Sequence, residues 1–221
     1  MKTFLLISLL AAVGAARAAD SNTGFTPLYN GKDLTGWHAH SGDIKKWQAD
    51  GDLVVCLGGG GGWLVTDKNY TDFVLKLDWK IPKGGNSGVA LRSPPKGDPA
   101  HAGMEIQILD DPAPQYKTLK PAQYTGGIYY QVAPDETKKK LNPPGEWNHY
   151  EITCHGPLVV IVLNGVEINR ASMDKETTGV GGHKPLSQRP RTGFIGLQSH
   201  GNRVEFRNLL IKVLDEPAPT R

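Results

Sequence analysis

Two short stretches hold the side chains best suited to chemistry. Gly85-Asn86-Ser87-Gly88-Val89-Ala90-Leu91-Arg92 precedes a loop, and Gly103-Met104-Glu105-Ile106-Gln107-Ile108-Leu109-Asp110 follows it. Read as strands, side chains alternate between two faces. Met104, Ile106 and Ile108 take the core, so Glu105 and Gln107 project from the other face. Val89 and Leu91 take the core of the first strand, which sends Arg92 the opposite way. If the strands pair, Arg92, Glu105 and Gln107 share one polar surface. A guanidinium, a carboxylate and an amide together suit the vicinal hydroxyls of a sugar, and the carboxylate can also move a proton. The plainer account is a solvated face with an Arg–Glu pair, which is worth little.

A second candidate is Gly196-Leu197-Gln198-Ser199-His200-Gly201-Asn202. His200 closes a strand ahead of a tight turn, a position fit for a proton shuttle and equally for an ordinary surface histidine. Trp63 follows the glycine run Gly58 to Gly62. It is the tryptophan expected to stand exposed at a site, beyond a flexible loop. His38 and His40 have strand spacing for a metal but lack a third ligand. No metal site is expected. Gly-x-Ser-x-Gly, His-Glu-x-x-His and phosphate-cradling loops are absent.

The elements that must position these residues are strands. Phe73, Leu75, Leu77, Trp79 and Ile81 alternate with Val74, Lys76, Asp78 and Lys80, and Asn148 to Cys154 repeats the pattern. Leu158 to Leu163 is continuously apolar, and Asn164-Gly165 after it is a strong hairpin signal. In the last strand the step from Phe206 to Leu209 breaks phase, which a β-bulge near Arg207-Asn208 would repair. Helical periodicity is missing, and glycine (27) and proline (16) are abundant. The pattern is that of an all-β, two-sheet antiparallel sandwich. The segments 110–144 and 170–192 read as long loops over its rims.

The N-terminus sets the compartment. Met1-Lys2-Thr3, the apolar run Phe4 to Val13 and the small residues through Ala18 form a secretory signal peptide, with cleavage after Ala18. The run is too short to span a membrane, and no cysteine follows it to carry a lipid. Residues 19–221 are expected to form a single domain, exported to the periplasm or beyond. Removing Lys2 and Arg17 takes the basic residues from 25 to 23 against 22 acids. A near-neutral chain argues against a nucleic-acid partner. Cys56 and Cys154 read as buried thiols on separate strands, although export permits a disulfide.

Further motifs carry a family resemblance. The segment Phe25-Thr26-Pro27-Leu28-Tyr29-Asn30-Gly31-Lys32-Asp33-Leu34-Thr35-Gly36-Trp37 resembles the opening of the 3-keto-disaccharide hydrolase domain family. Asn86-Ser87-Gly88 with Arg92, the Gly103 to Asp110 strand, Pro144-Gly145-Glu146-Trp147-Asn148, Gly196 to Gly201 and Val204-Glu205-Phe206-Arg207-Asn208 also match its motifs. The resemblance spans about residues 24 to 214. It implies a concanavalin A-like jelly-roll sandwich, export, and action on oxidised glycosides, with carbohydrate as the partner.

Glucanases of that fold use paired carboxylates on one strand, whereas this strand reads Glu105-x-Gln107. That departure disfavours an ordinary two-acid mechanism. A 3-keto sugar removes the need for the pair, because the ketone acidifies the proton on C2. The C1 substituent then leaves by elimination and water adds back. On this reading Glu105 and His200 are the catalytic base and acid, in either order. Arg92 and Gln107 hold the ketone and hydroxyls, and Asn86 and Trp63 bind the ring. No cofactor is implied, a bound cation being the alternative means of polarising the ketone. The competing reading is a non-catalytic carbohydrate-binding module, which the lack of an attached catalytic domain weakens.

Overall fold

The computed structural model describes residues 22–214. The expected signal peptide, residues 1–18, lies outside them. Among the described residues thirteen strands occur in this order: β1 (Thr26–Pro27), β2 (Trp37–His40), β3 (Trp47–Asp50), β4 (Leu53–Cys56), β5 (Gly61–Thr66), β6 (Phe73–Lys80), β7 (Asn86–Ser93), β8 (Met104–Leu109), β9 (Asn148–His155), β10 (Leu158–Leu163), β11 (Val166–Ser172), β12 (Phe194–His200) and β13 (Val204–Val213). Among the described residues the α-helix content is one turn, α1 (Pro99–Ala102).

The strands form two antiparallel sheets. The larger runs β11-β10-β9-β6-β13-β4-β3, with β1 added beside β13, and the smaller runs β2-β5-β12-β7-β8. The alternation of β6 sends Phe73, Leu75, Leu77 and Trp79 into the space between the sheets, where they meet Tyr150 and Ile152 of β9. Val89, Leu91, Met104, Ile106 and Ile108 fill that space from the smaller sheet. Each such side chain contributes roughly 1.5–3 kcal/mol of burial, so the register of β8 is strongly set. The Tyr150 hydroxyl crosses the core and donates to the Gln107 carbonyl at 2.7 Å, tying β8 to the opposite sheet.

Local signals read from the sequence hold. Asn164 and Gly165, with φ of 49° and 82°, form the two-residue turn between β10 and β11. The β13 bulge falls where the phase breaks: Arg207 pairs with Asp78 and Leu210 with Lys76, and Asn208 has φ of 52°. Cys56 and Cys154 are buried free thiols on β4 and β9, and burial pushes the Cys154 thiol up to about 11. The glycine run is not a loose loop. The Ser199 hydroxyl donates to Gly60 O at 2.6 Å and Gly59 N to Gly201 O at 3.0 Å. At Gly62, with φ of 128°, a Cβ would overlap the Ser41 carbonyl. Glycine here permits close backbone approach.

Candidate functional site

The site is built on the outer face of the smaller sheet. Ala90 pairs with Glu105 and Gly88 with Gln107, and the core faces of β7 and β8 are both spoken for. Glu105 and Gln107 therefore point outward, as their spacing requires. Leu197 pairs with Val89, which puts Gln198 beside Gly88. Gln198 in turn pairs with Trp63, and Trp63 with His40. A Cβ on residue 88 would overlap Glu105 Oε1, so the glycine makes room for the carboxyl to lean across β7 toward Gln198.

This face is roofed. Asp98 caps α1 by accepting from Ala100 N at 3.1 Å, Pro99 opens the turn, and Arg189 Nη1 donates to the Gly103 carbonyl at 2.9 Å. Pro at the first helical position and a side-chain acceptor ahead of it are the usual way to start a short helix. Ala100 packs with Trp63, Val65, Ala90 and Phe194 into a second, smaller apolar layer, with Tyr129 against it. Trp63 is consequently 4% exposed, not the exposed stacking surface expected. Glu105 is 2% exposed.

Burial holds the Glu105 carboxyl well above the usual carboxylate range. The Asp98 charge adds to that effect, and the Gln198 amide opposes it. The result is a buried acid that keeps its proton, the property required of a general acid. Its Oε1 has no hydrogen-bond partner. Six buried side-chain polar atoms among the described residues share that condition. Four of them, Glu105 Oε1, Gln198 Oε1, His101 Nδ1 and Arg189 Nη2, lie in this sheet face and its roof. Buried polar groups are ordinarily paired, so their concentration here marks a place where a polar ligand has something to satisfy.

The other expected residues divide. Gln107 donates from Nε2 to Asn86 Oδ1 at 2.8 Å, so these two sit together on the site face as expected. His200 lies on the same face two residues beyond Gln198 and is exposed at the rim. Arg92 does not reach the site. A bulge in β7 inserts one residue, since Phe194 pairs with Ser93 but Gly196 with Ala90. Arg92 takes φ of 51° and turns to the other side of the sheet. There it is fully buried, donating to Thr71 O at 2.7 Å, Gly156 O at 2.8 Å and Asp72 Oδ1 at 2.8 Å. It fastens β7 to the ends of the larger sheet.

Sequence alone assigns no role to Gln198, Asp98, Tyr129 or His183 and reads His101 only as a weaker histidine in a loop before Glu105, whereas the structure places it on α1. The signal for α1 was present as Asp98-Pro99, an N-cap followed by proline, shortly ahead of the strand that carries Glu105. His38 bonds Asp67 at 2.7 Å and His40 Nε2 lies 2.9 Å from Gly97 O, and no group of three metal-ligating side chains occurs among the described residues.

A cleft of about 760 Å³ lies elsewhere, beneath the 110–144 excursion, walled by Trp79, Ile81, Leu109, Tyr124 and Leu141. Its lysine is already committed, Lys139 bonding Asp111 at 2.7 Å and Glu136 at 2.6 Å. Size alone does not make it the reactive centre.

Glycine at 88 yields a direct test. Gly88→Ala should displace the Glu105 carboxyl and cut turnover by about 10²-fold, the usual consequence of misplacing a reacting group by an ångström. Wild-type activity in the alanine variant would mean that the carboxyl position is immaterial.

Residues 24–212 match the model of the 3-keto-alpha-glucoside-1,2-lyase-like domain. The chain is 27% identical to a 3-keto-disaccharide hydrolase of Bacteroides thetaiotaomicron, across 87% of this chain and 79% of that one. Two solved structures of proposed glycosyl hydrolases from Parabacteroides distasonis are similar to it. One is 31% identical with a TM-score of 0.77, over 86% of this chain and 99% of the other. The second is 32% identical with a TM-score of 0.76, over 90% and 99%.

Proposed function

Because this chain belongs to the 3-keto-alpha-glucoside-1,2-lyase-like domain family, we propose that it is an exported enzyme that cleaves 3-keto-glycosides by elimination across C1–C2 followed by hydration. The observation that carries the reading is the buried Glu105 carboxyl on the outer face of the smaller sheet, whose Oε1, like Oε1 of Gln198, is buried without a hydrogen-bond partner. An acid held protonated out of water suits donation to a leaving glycosidic oxygen. The bond changes are simple. A base takes the C2 proton, the electron pair becomes the C1=C2 bond, and the C1–O bond breaks toward the oxygen that Glu105 protonates. Water then adds at C1 and a proton returns to C2, giving net hydrolysis. Gln107 and Asn86 supply amides for the sugar hydroxyls, and His200 stands exposed on the same sheet face.

Incubation with a 3-keto-glucoside and an unoxidised control should release ketosugar from the first alone. In deuterated water the product should carry deuterium at C2. Retention of the original C2 hydrogen through turnover would rule out elimination and leave direct displacement at C1. Export is checked by fractionating cells that express the full chain.

A further inference from the structure

The base that removes the C2 proton needs a position facing Glu105, and the rim histidine His200 is exposed rather than enclosed with the acid. We infer that His101, carried by the turn that roofs Glu105 and packed beside Tyr129, is the second proton-transfer residue of this site, with His183 holding its ring; the inference rests on the glycoside-cleaving reading above.

Three features converge on this residue. The first is placement. His101 lies on α1, the turn that roofs Glu105. Its ring centre is 5.8 Å from that of Tyr129, and the Tyr129 amide donates to the Glu105 carbonyl at 2.9 Å. The charge of Asp98 is felt by His101, Glu105 and Tyr129 alike. The second is orientation. The His101 ring stacks on His183 with centres 3.5 Å apart and planes within 4°, and Tyr130 packs edge-on against His183 at 5.6 Å. A ring clamped this way keeps one aim. The third is an unmet demand. Nδ1 of His101 is buried without a hydrogen-bond partner, and an unpaired buried ring nitrogen costs free energy until something reaches it.

The protonation states fit the roles. Burial first, then the His183 and Arg189 charges, push the imidazole down, with Asp98 opposing them. The same burial raises the Glu105 carboxyl, so the enclosure favours a neutral imidazole and a protonated carboxyl, the forms a base and an acid need. In the elimination step His101 takes the C2 proton and Glu105 gives its own to the leaving oxygen. In the hydration step the Glu105 carboxylate takes a proton from the water that adds to C1, and the His101 imidazolium returns one to C2. Both residues end as they began.

The test separates the two halves of the reaction. 3-Keto-1,5-anhydroglucitol has the acidic C2 hydrogen but no leaving group at C1. Wild-type protein in deuterated water should speed deuterium entry at its C2. His101→Gln should lose that exchange by about 10²-fold or more and lose 3-keto-glucoside cleavage with it. Glu105→Gln should retain exchange while losing cleavage. His101→Ala leaves a ring-sized gap, and added imidazole should restore part of the exchange, which a merely structural role would not permit. Should His101→Gln and His101→Ala cleave and exchange like the wild type, the inference fails while the parent reading stands. Loss of exchange without imidazole rescue in variants that melt normally also overturns it. Absence of wild-type turnover on any 3-keto-glycoside overturns the parent reading and this one together.

Discussion

Glu105→Gln is expected to lower turnover of a 3-keto-glucoside by about 10²-fold or more while making the protein no less stable at pH 8. The amide keeps the size and shape of the carboxyl, so the layer formed by Trp63, Ala100 and Gln198 need not move. The stability side follows from linkage. In the unfolded chain Glu105 titrates near its ordinary value of 4.5, and in the fold burial raises it. Between those values the folded state holds a proton that the unfolded state has released, so stability declines as pH rises through the window and levels off above it. Glutamine has no such proton to hold. The variant's melting temperature should equal the wild type's near pH 4 and match or exceed it at pH 8. A variant that cleaves normally, or that melts lower at every pH, would remove Glu105 from the chemistry.

Arg92→Ala should do the reverse, unfolding the protein more easily without touching the site. Its guanidinium satisfies two backbone carbonyls and the Asp72 carboxylate from a fully buried position. Breaking a buried ion pair from one side typically costs about 3–5 kcal/mol. In a domain of this size that corresponds to a melting temperature about 6–20 °C lower. Arg92→Lys should recover little, because an ammonium cannot span three acceptors arranged for a planar fork. The folded fraction should keep its KM within about twofold if Arg92 lies outside substrate contact. A raised KM at unchanged melting temperature would return Arg92 to the binding site.

Much of this molecule was legible before any coordinates. The alternation of β6, β8 and β9 is enforced by the drive to bury one face, and that drive acts on local sequence, so the inward and outward sets could be read directly. The outward aim of Glu105 and Gln107 follows from Met104, Ile106 and Ile108 alone. Asn164-Gly165 determines its own turn, and the phase break before Leu209 declares its bulge. The bulge at Arg92 left no such mark, because it rests on the pairing of β7 with β12, strands about a hundred residues apart in sequence. A one-residue insertion there reverses a side chain, which is why Arg92 was placed on the wrong face. The roof over Trp63 and Glu105 was equally hidden. One helical turn, a tyrosine from the 110–144 excursion and a histidine from the loop after β11 come together only because the sheets set where those loops cross. Sequence thus determined which way the strand side chains face, except beyond the unmarked bulge at Arg92. Only the tertiary structure decided what lies over them, because burial of the outer face is a property of long-range contacts that no local period records.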